Sequence, residues 1–211
     1  MEPIRCELLK RNDVQQLVHL VARTWSADEP LSAALGLLAP DIERFLRTAS
    51  EQLLSDGLTM VARDVASNKL AGALIAEDLA SPLPVEPENL SPKFEPIFSL
   101  MSGLAEEYRK GRTLSAGQHL HICVLATDRR HRGHGVAQRL VDAIIENGLD
   151  QGYRYAVAEP TGAAAQHIFR KAGFTERSRA PYATFRCGSG APFASIQGQD
   201  AALLMDKSLD Q

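Results

Sequence analysis

The segment "IRCELLK" alternates apolar and polar residues and predicts a strand, after which Val14, Leu17, Val18, Val21 and Trp25 recur at helical spacing from about Asn12. Pro30 breaks that run. Ile42, Phe45, Leu46, Ala49 and Leu53 then form a second helical stripe ending near Gly57, which places two helices before the next strand. "LTMVARDV" and "KLAGALIAEDL" flank turn residues 66–68 and read as an antiparallel pair. The following "ASPLPVEPENLSP" holds too many prolines for a regular element, and leads into "KFEPIFSLMSGLAEEYRKG", which is amphipathic despite Pro96.

The second half alternates strand and helix. "HLHICVLAT" predicts a strand, a helix runs from Gly133 to about Gly148, and "YRYAVAE" predicts the next strand. A helix from about Thr161 to Lys171 closes at Gly173, and "ATFRC" and "AALLMDK" are the expected final strands. The pattern is α/β with a mixed, mostly antiparallel seven-stranded sheet flanked by helices, because the opening and closing strands lie too close to their neighbours for helical crossovers.

A length of 211 residues fits one domain over 1–211, and 45% hydrophobic with 23% charged residues suits a globular chain. The start "MEPIRCELLK" lacks the apolar core of a signal peptide, and no run is long enough to span a bilayer, so a cytoplasmic protein without membrane contact is expected. Cys6, Cys123 and Cys187 are far apart and show no zinc spacing, which predicts reduced thiols and no metal site. A net charge of -3 and a pI near 6.1 argue against nucleic acid as a partner. Sequence alone leaves monomer and homodimer both open.

Against that acidic background, "DRRHRGHGVAQRL" concentrates positive charge between a strand and a helix. Glycines there let a ligand approach the backbone, and the first N–H groups of the helix, at the positive end of its dipole, suit an anion such as phosphate. The same residues could also be a solvated helix start. No Lys-Ser/Thr follows the glycines, which excludes a P-loop, and Gln138 occupies the third glycine position of a dinucleotide fingerprint.

Arg130-His131-Arg132-Gly133-His134-Gly135 resembles the Gln/Arg-x-x-Gly-x-Gly/Ala signature of the GNAT superfamily of acetyl-CoA-dependent N-acetyltransferases. The resemblance implies the GNAT fold, with strands splayed at the acetyl-CoA site. It also implies a cofactor held by Arg130 to Gly135 with Val136, by the strand backbone at Cys123, Val124 and Leu125, and by Phe169 on the later helix. "AAAQHIFRKAGF" is similar to the family's second cofactor motif. Phe169 stands where many members carry a tyrosine that protonates the CoA thiolate, so the resemblance assigns no general acid; Tyr182 is a weak alternative.

His119 and His121 lie two apart on one strand and therefore share a face. They read as proton acceptors titrating near pH ~6.5, as packed strand residues, or as a metal pair lacking a third ligand. By position they resemble the histidine pair of the vertebrate arylalkylamine N-acetyltransferases, which implies proton relay. "DEPLSAALG" reads by itself as a helix start. It is similar to a segment of the insect arylalkylamine N-acetyltransferases whose glutamate is the general base, and Glu29 matches that glutamate. "SPKFEPIFSLM" and "LLMDK" extend this similarity, whereas Thr161 and Ala165 stand where those enzymes carry serines.

The expected activity is acetyl transfer from acetyl-CoA to a small primary amine such as an arylalkylamine, in a direct ternary complex. Glu29, His119 and His121 are the candidate proton acceptors, Asp28 would attract the ammonium, and Trp25, Phe94 or Phe98 would line an aromatic pocket. Polyamines, amino-sugar antibiotics and protein amino groups are alternative acceptors, and a non-catalytic CoA-binding module is the alternative from another class.

Overall fold

The computed structural model describes residues 4–82 and 90–209. Most of the proline-rich loop at residues 80–92 lies outside them. The described residues form one seven-stranded mixed sheet in the order β1-β2-β3-β4-β5-β7-β6, flanked by helices on both faces. Its strands are β1 (Ile4–Leu8), β2 (Thr59–Asp64), β3 (Leu70–Asp78), β4 (His119–Thr127), β5 (Tyr155–Ala158), β6 (Thr175–Pro181) and β7 (Ala201–Ser208). Every neighbouring pair is antiparallel except β4 and β5, which run parallel across the helix that separates them in sequence.

Between β1 and β2 the chain forms four helices where the apolar stripes predict two. They are α1 (Val14–Asp28), α2 (Pro30–Ala34), α3 (Ala39–Thr48) and α4 (Ser50–Ser55). The extra α2 starts because Glu29 caps it and Pro30 supplies its first helical position. Helix α1 buries Leu17, Val18, Val21 and Ala22 against one sheet face together with Ile42 and Leu46 of α3. α5 (Glu95–Arg109) packs on the β6–β7 end. On the other face, α6 (Val136–Asp150) and α7 (Ala163–Lys171) close over Leu120, Ile122, Ala156 and Met205.

"ATFRC" is not a strand. Residues 182–185 turn back on the chain, with the amide of Phe185 donating to the carbonyl of Pro181 at 3.1 Å, and the Phe185 ring stacks on Phe193 at 5.4 Å. The edge strand is instead β6, whose sequence TERSRAP is mostly exposed and hides the usual alternation. Its charges, Arg177 on Asp206 and Arg179 on Glu176, blunt a sheet edge that would otherwise be open to another strand.

Two irregularities open the sheet. β4 pairs with β5 only from His119 to Ile122, and β5 ends before Glu159 and Pro160, the latter without an N–H to continue a ladder. β4 continues to Thr127, leaving its backbone edge from Cys123 onward without a strand on that side. The pairing with β3 steps from Ile75↔Val124 to Ala76↔Ile122, so Cys123 is the extra residue of a bulge. Beyond the bulge the side-chain alternation reverses, which turns Val124 and Ala126 toward α1.

Gly72 on β3 is set by packing rather than by conformation. A Cβ there would lie 2.9 Å from Val136 Cγ1 and 3.0 Å from both Leu140 Cδ1 and the carbonyl of Ala126. Gly72→Ala is therefore expected to push α6 away from the sheet and cost about 1–3 kcal/mol, read as a lower urea midpoint with unchanged slope. An unchanged midpoint would show that α6 yields freely.

Candidate active site

A cleft of about 960 Å3 runs into the opening between β4 and β5. That volume is large enough for an extended ligand and a small acceptor together. Of the residues singled out in the sequence, it is lined by Trp25, Asp28, Glu29, His121, Cys123, Val124, Leu125, His131, Arg132, Gly133, Gly135, Val136 and Phe169. His119, Arg130 and His134 are not in its lining.

The glycine loop forms one part of the wall. Gly133 and Gly135 have φ of 76° and 74°, a left-handed conformation that side chains rarely adopt. A Cβ at either would meet nothing within 4 Å, so the backbone conformation and not lack of space selects glycine. Gly135 is the N-cap of α6, whose first amides have no intrahelical partner and face an anion favourably.

The basic side chains beside the loop are held by two acids. Asp128 is nearly fully buried, caps the turn after β4 through the amide of Arg130 at 2.9 Å, and takes Arg130 Nε at 3.0 Å and Arg23 at 2.5 Å. The Arg130 contact leads the effects that hold the Asp128 carboxyl down to about 2. Asp28 takes Arg129 at 2.6 and 3.2 Å and Arg132 at 2.6 Å, and the Arg129 hydrogen bond is the main reason its pKa is lowered. Both of its oxygens are thus engaged by cations of the protein. His131 ties the loop to β2 through Asp64 at 3.2 Å.

Glu29 sits where α1 gives way to α2. Its Oε1 accepts from the Leu31 amide at 3.0 Å and from Thr161 Oγ1 at 2.8 Å, and its Oε2 accepts from the Ser32 amide at 2.6 Å. Thr161 therefore supplies a hydroxyl to this carboxylate, while Ala165 lines the cleft without one. Tyr182 donates to the carbonyl of Thr161 at 2.6 Å, and burial, with the Glu29 charge, raises its pKa. It lies behind the lining rather than in it.

The two histidines separate. His119 is buried under Tyr155, ring centroids 4.9 Å apart, its pKa lowered by burial and its Nδ1 without a hydrogen-bond partner among the described residues. His121 faces the cleft with Nδ1 2.7 Å from Glu77 and Nε2 hydrogen-bonded to Glu159. Burial alone would favour the neutral ring, but the two carboxylates outweigh it and raise the pKa well above the usual histidine range. His121 is accordingly an imidazolium at neutral pH, with both nitrogens donating.

Glu77, Glu159 and Asp128 were not singled out in the sequence, and Phe45 was read only as part of an apolar helical stripe. Glu77 and Glu159 end apolar runs, a position that signals a strand terminus and no chemistry, and only the pairing of β3, β4 and β5 brings them to His121. Asp128 opens the basic stretch itself, so an Asp before a turn was the available signal. Phe45, Phe94 and Phe98 form one aromatic wall, with centroids 5.6, 5.8 and 6.3 Å apart, next to Trp25.

A model of the acetyltransferase (GNAT) family matches residues 45–174. Among solved structures, the C-terminal condensation domain of Ebony in complex with β-alanyl-dopamine superposes with a TM-score of 0.91 at 13% identity, over 99% of this chain and 100% of that one. Arylalkylamine N-acetyltransferase 2 from Aedes aegypti gives 0.82 at 23% identity, over 98% and 99%. A Drosophila melanogaster polyamine N-acetyltransferase that forms N-acetylagmatine gives 0.76 at 19% identity, over 98% and 100%. At these identities the structures establish likeness of fold.

Asp128 and Asp64 are both held down to about 2, Asp64 chiefly by the Ser67 amide and then by His131. In the unfolded chain they would titrate near ~3.9. The stability they contribute is therefore fully present above that value and is lost as pH falls toward 2. In thermal melts, Asp128→Asn should lower the Tm at pH 7 and converge on the wild type near pH 2. A pH-independent difference would contradict this assignment.

Proposed function

The chain belongs to the GNAT acetyltransferase family, and from that membership we propose that it transfers acetyl from acetyl-CoA to a small primary amine of the arylalkylamine class. The observation that carries this reading is a single cleft containing the glycine loop, the carboxylate of Glu29 and the aromatic wall of Phe45, Phe94 and Phe98.

Acetyl-CoA supplies the activated acetyl thioester. The open backbone at Gly133 and Gly135, the start of α6 and the neighbouring Arg132 fit its phosphates, with Arg130, His131 and His134 on the same loop. The β4 backbone from Cys123 to Leu125, along which β5 no longer pairs, offers backbone groups to the pantetheine arm, and a backbone amide of the stretch near Val124 would polarise the acyl carbonyl. Phe169 lines the cleft and packs edge-on against Phe174 at 5.1 Å, so it contributes shape and no proton.

Glu29 is the group that removes the amine's proton, directly or through water, before attack. Thr161 and the two α2 amides hold its carboxylate in one orientation. His119 takes no part in this step, being covered by Tyr155, and His121 has no vacant nitrogen with which to accept a proton. Aromatic amines suit the phenylalanine wall, and the relatives named for arylalkylamines and for β-alanyl-dopamine, an acylated arylalkylamine, support that class. A polyamine acceptor is the second reading, favoured by the carboxylates of Glu29, Glu77 and Glu159 in one cleft and by the relative that forms N-acetylagmatine.

CoA release followed with a thiol reagent should show higher kcat/KM for phenethylamine and tryptamine than for spermidine and agmatine. The reverse ranking would select the polyamine reading, and silence across the panel would defeat both. Glu29→Gln should lower kcat by roughly 10²–10⁴-fold, with the Tm changed by no more than the loss of a helix cap explains. Turnover close to wild type would remove Glu29 from the role of base. Phe98→Ala should cut kcat/KM for tryptamine by roughly three- to tenfold while leaving that for agmatine within twofold.

A further inference from the structure

Four carboxylates line the cleft, and they differ in what already occupies them. Arginines engage both oxygens of Asp28. Glu29 is engaged on both oxygens by Leu31, Ser32 and Thr161. Glu77 holds His121 Nδ1 from β3 and has a further interaction of its own. Glu159 holds His121 Nε2 through Oε2, but its Oε1 takes no hydrogen bond from any described residue. Its side chain is only 10% exposed, and it lines the cavity. A carboxylate oxygen at the wall of a cleft can take its hydrogen bond from water or from a ligand.

The charge of the cluster points to the kind of ligand. His121 sits between two carboxylates in a cleft walled largely by apolar side chains, and the carboxylate oxygen left over favours a cationic ligand. Arg132, Arg129 and Arg130 are held at the glycine loop by Asp28 and Asp128. Glu159 precedes Thr161, the residue bonded to Glu29, by two positions, so the free oxygen lies on the same turn of chain that steadies the proposed base.

We propose that Glu159 Oε1 docks the ammonium group of the acceptor and is the specificity-determining residue for a cationic acceptor, with Glu77 and His121 as positioning residues. Binding and deprotonation are then divided between Glu159 and Glu29. The inference rests on the amine-acceptor reading for the identity of its ligand, and it can be tested without turnover.

The full chain saturated with CoA, which cannot transfer acetyl, is titrated calorimetrically with phenethylamine and with its neutral analogue 2-phenylethanol. The wild type should prefer the amine by about tenfold or more, as expected for a hydrogen bond to a charged group. Glu159→Gln should reduce the preference to less than threefold with CoA affinity unchanged, while Glu29→Gln keeps it. Should Glu159→Gln lose CoA binding, Glu159→Asp serves instead, since it retains the charge but withdraws the oxygen, and its preference should also fall. An equal affinity of the wild type for both compounds, binding of neither, or an undiminished preference in the Glu159 variants would overturn the proposal. Failure of the amine panel to release CoA would defeat the functional reading alone.

Discussion

The parallel ladder between β4 and β5 stops after four residue pairs, and the site follows from that stop. Pro160 has no amide to offer a longer ladder, and the chain leaves the sheet at Glu159. The freed β4 edge, the Cys123 bulge and the cleft beneath them are consequences of one interrupted hydrogen-bond pattern. The packing on either side keeps the opening from collapsing. Leu120 and Ile122 are covered by α6 and α7 before the bulge, and Val124 and Ala126 by α1 after it. An unpaired edge in a buried setting is a liability unless a ligand uses it, and a pantetheine arm carries the amide groups to do so.

Charge in this molecule is arranged by local pairing rather than by net balance. The basic loop sits in an acidic chain because Asp28 and Asp128 hold its arginines at short range and Asp64 takes His131, which orders the loop before any anion arrives. The acids at the opposite side of the chemistry are arranged by the same principle with the signs exchanged. There a single imidazolium is fixed by two carboxylates, and one oxygen is left for a cation. The proposed substrates, an anionic cofactor and a cationic amine, would meet these two arrangements at different parts of one cleft.

The aromatic wall completes the acceptor side. Phe45 belongs to α3, Phe94 to the turn just before α5 and Phe98 to the first turn of α5, so their meeting depends on two segments about fifty residues apart packing over the same strands.

The sequence by itself determined the alternation of elements, the glycine loop and the family resemblance that its spacing carries. These are local properties. Strand β4 matches "HLHICVLAT" end to end, and Gly133 and Gly135 are dictated by backbone conformation at single residues. The apolar pattern failed where burial is one-sided or absent, as at the polar edge strand β6 and the short capped helix α2. Tertiary structure alone decided which titratable groups share a cleft. His119 and His121 are equivalent by spacing, yet Tyr155 covers one, while Glu77 on β3 and Glu159 just past β5 charge the other. Glu77 and Glu159 could not be found in advance, because a carboxylate's role depends on which neighbours donate to it, and those neighbours come from strands far apart in sequence.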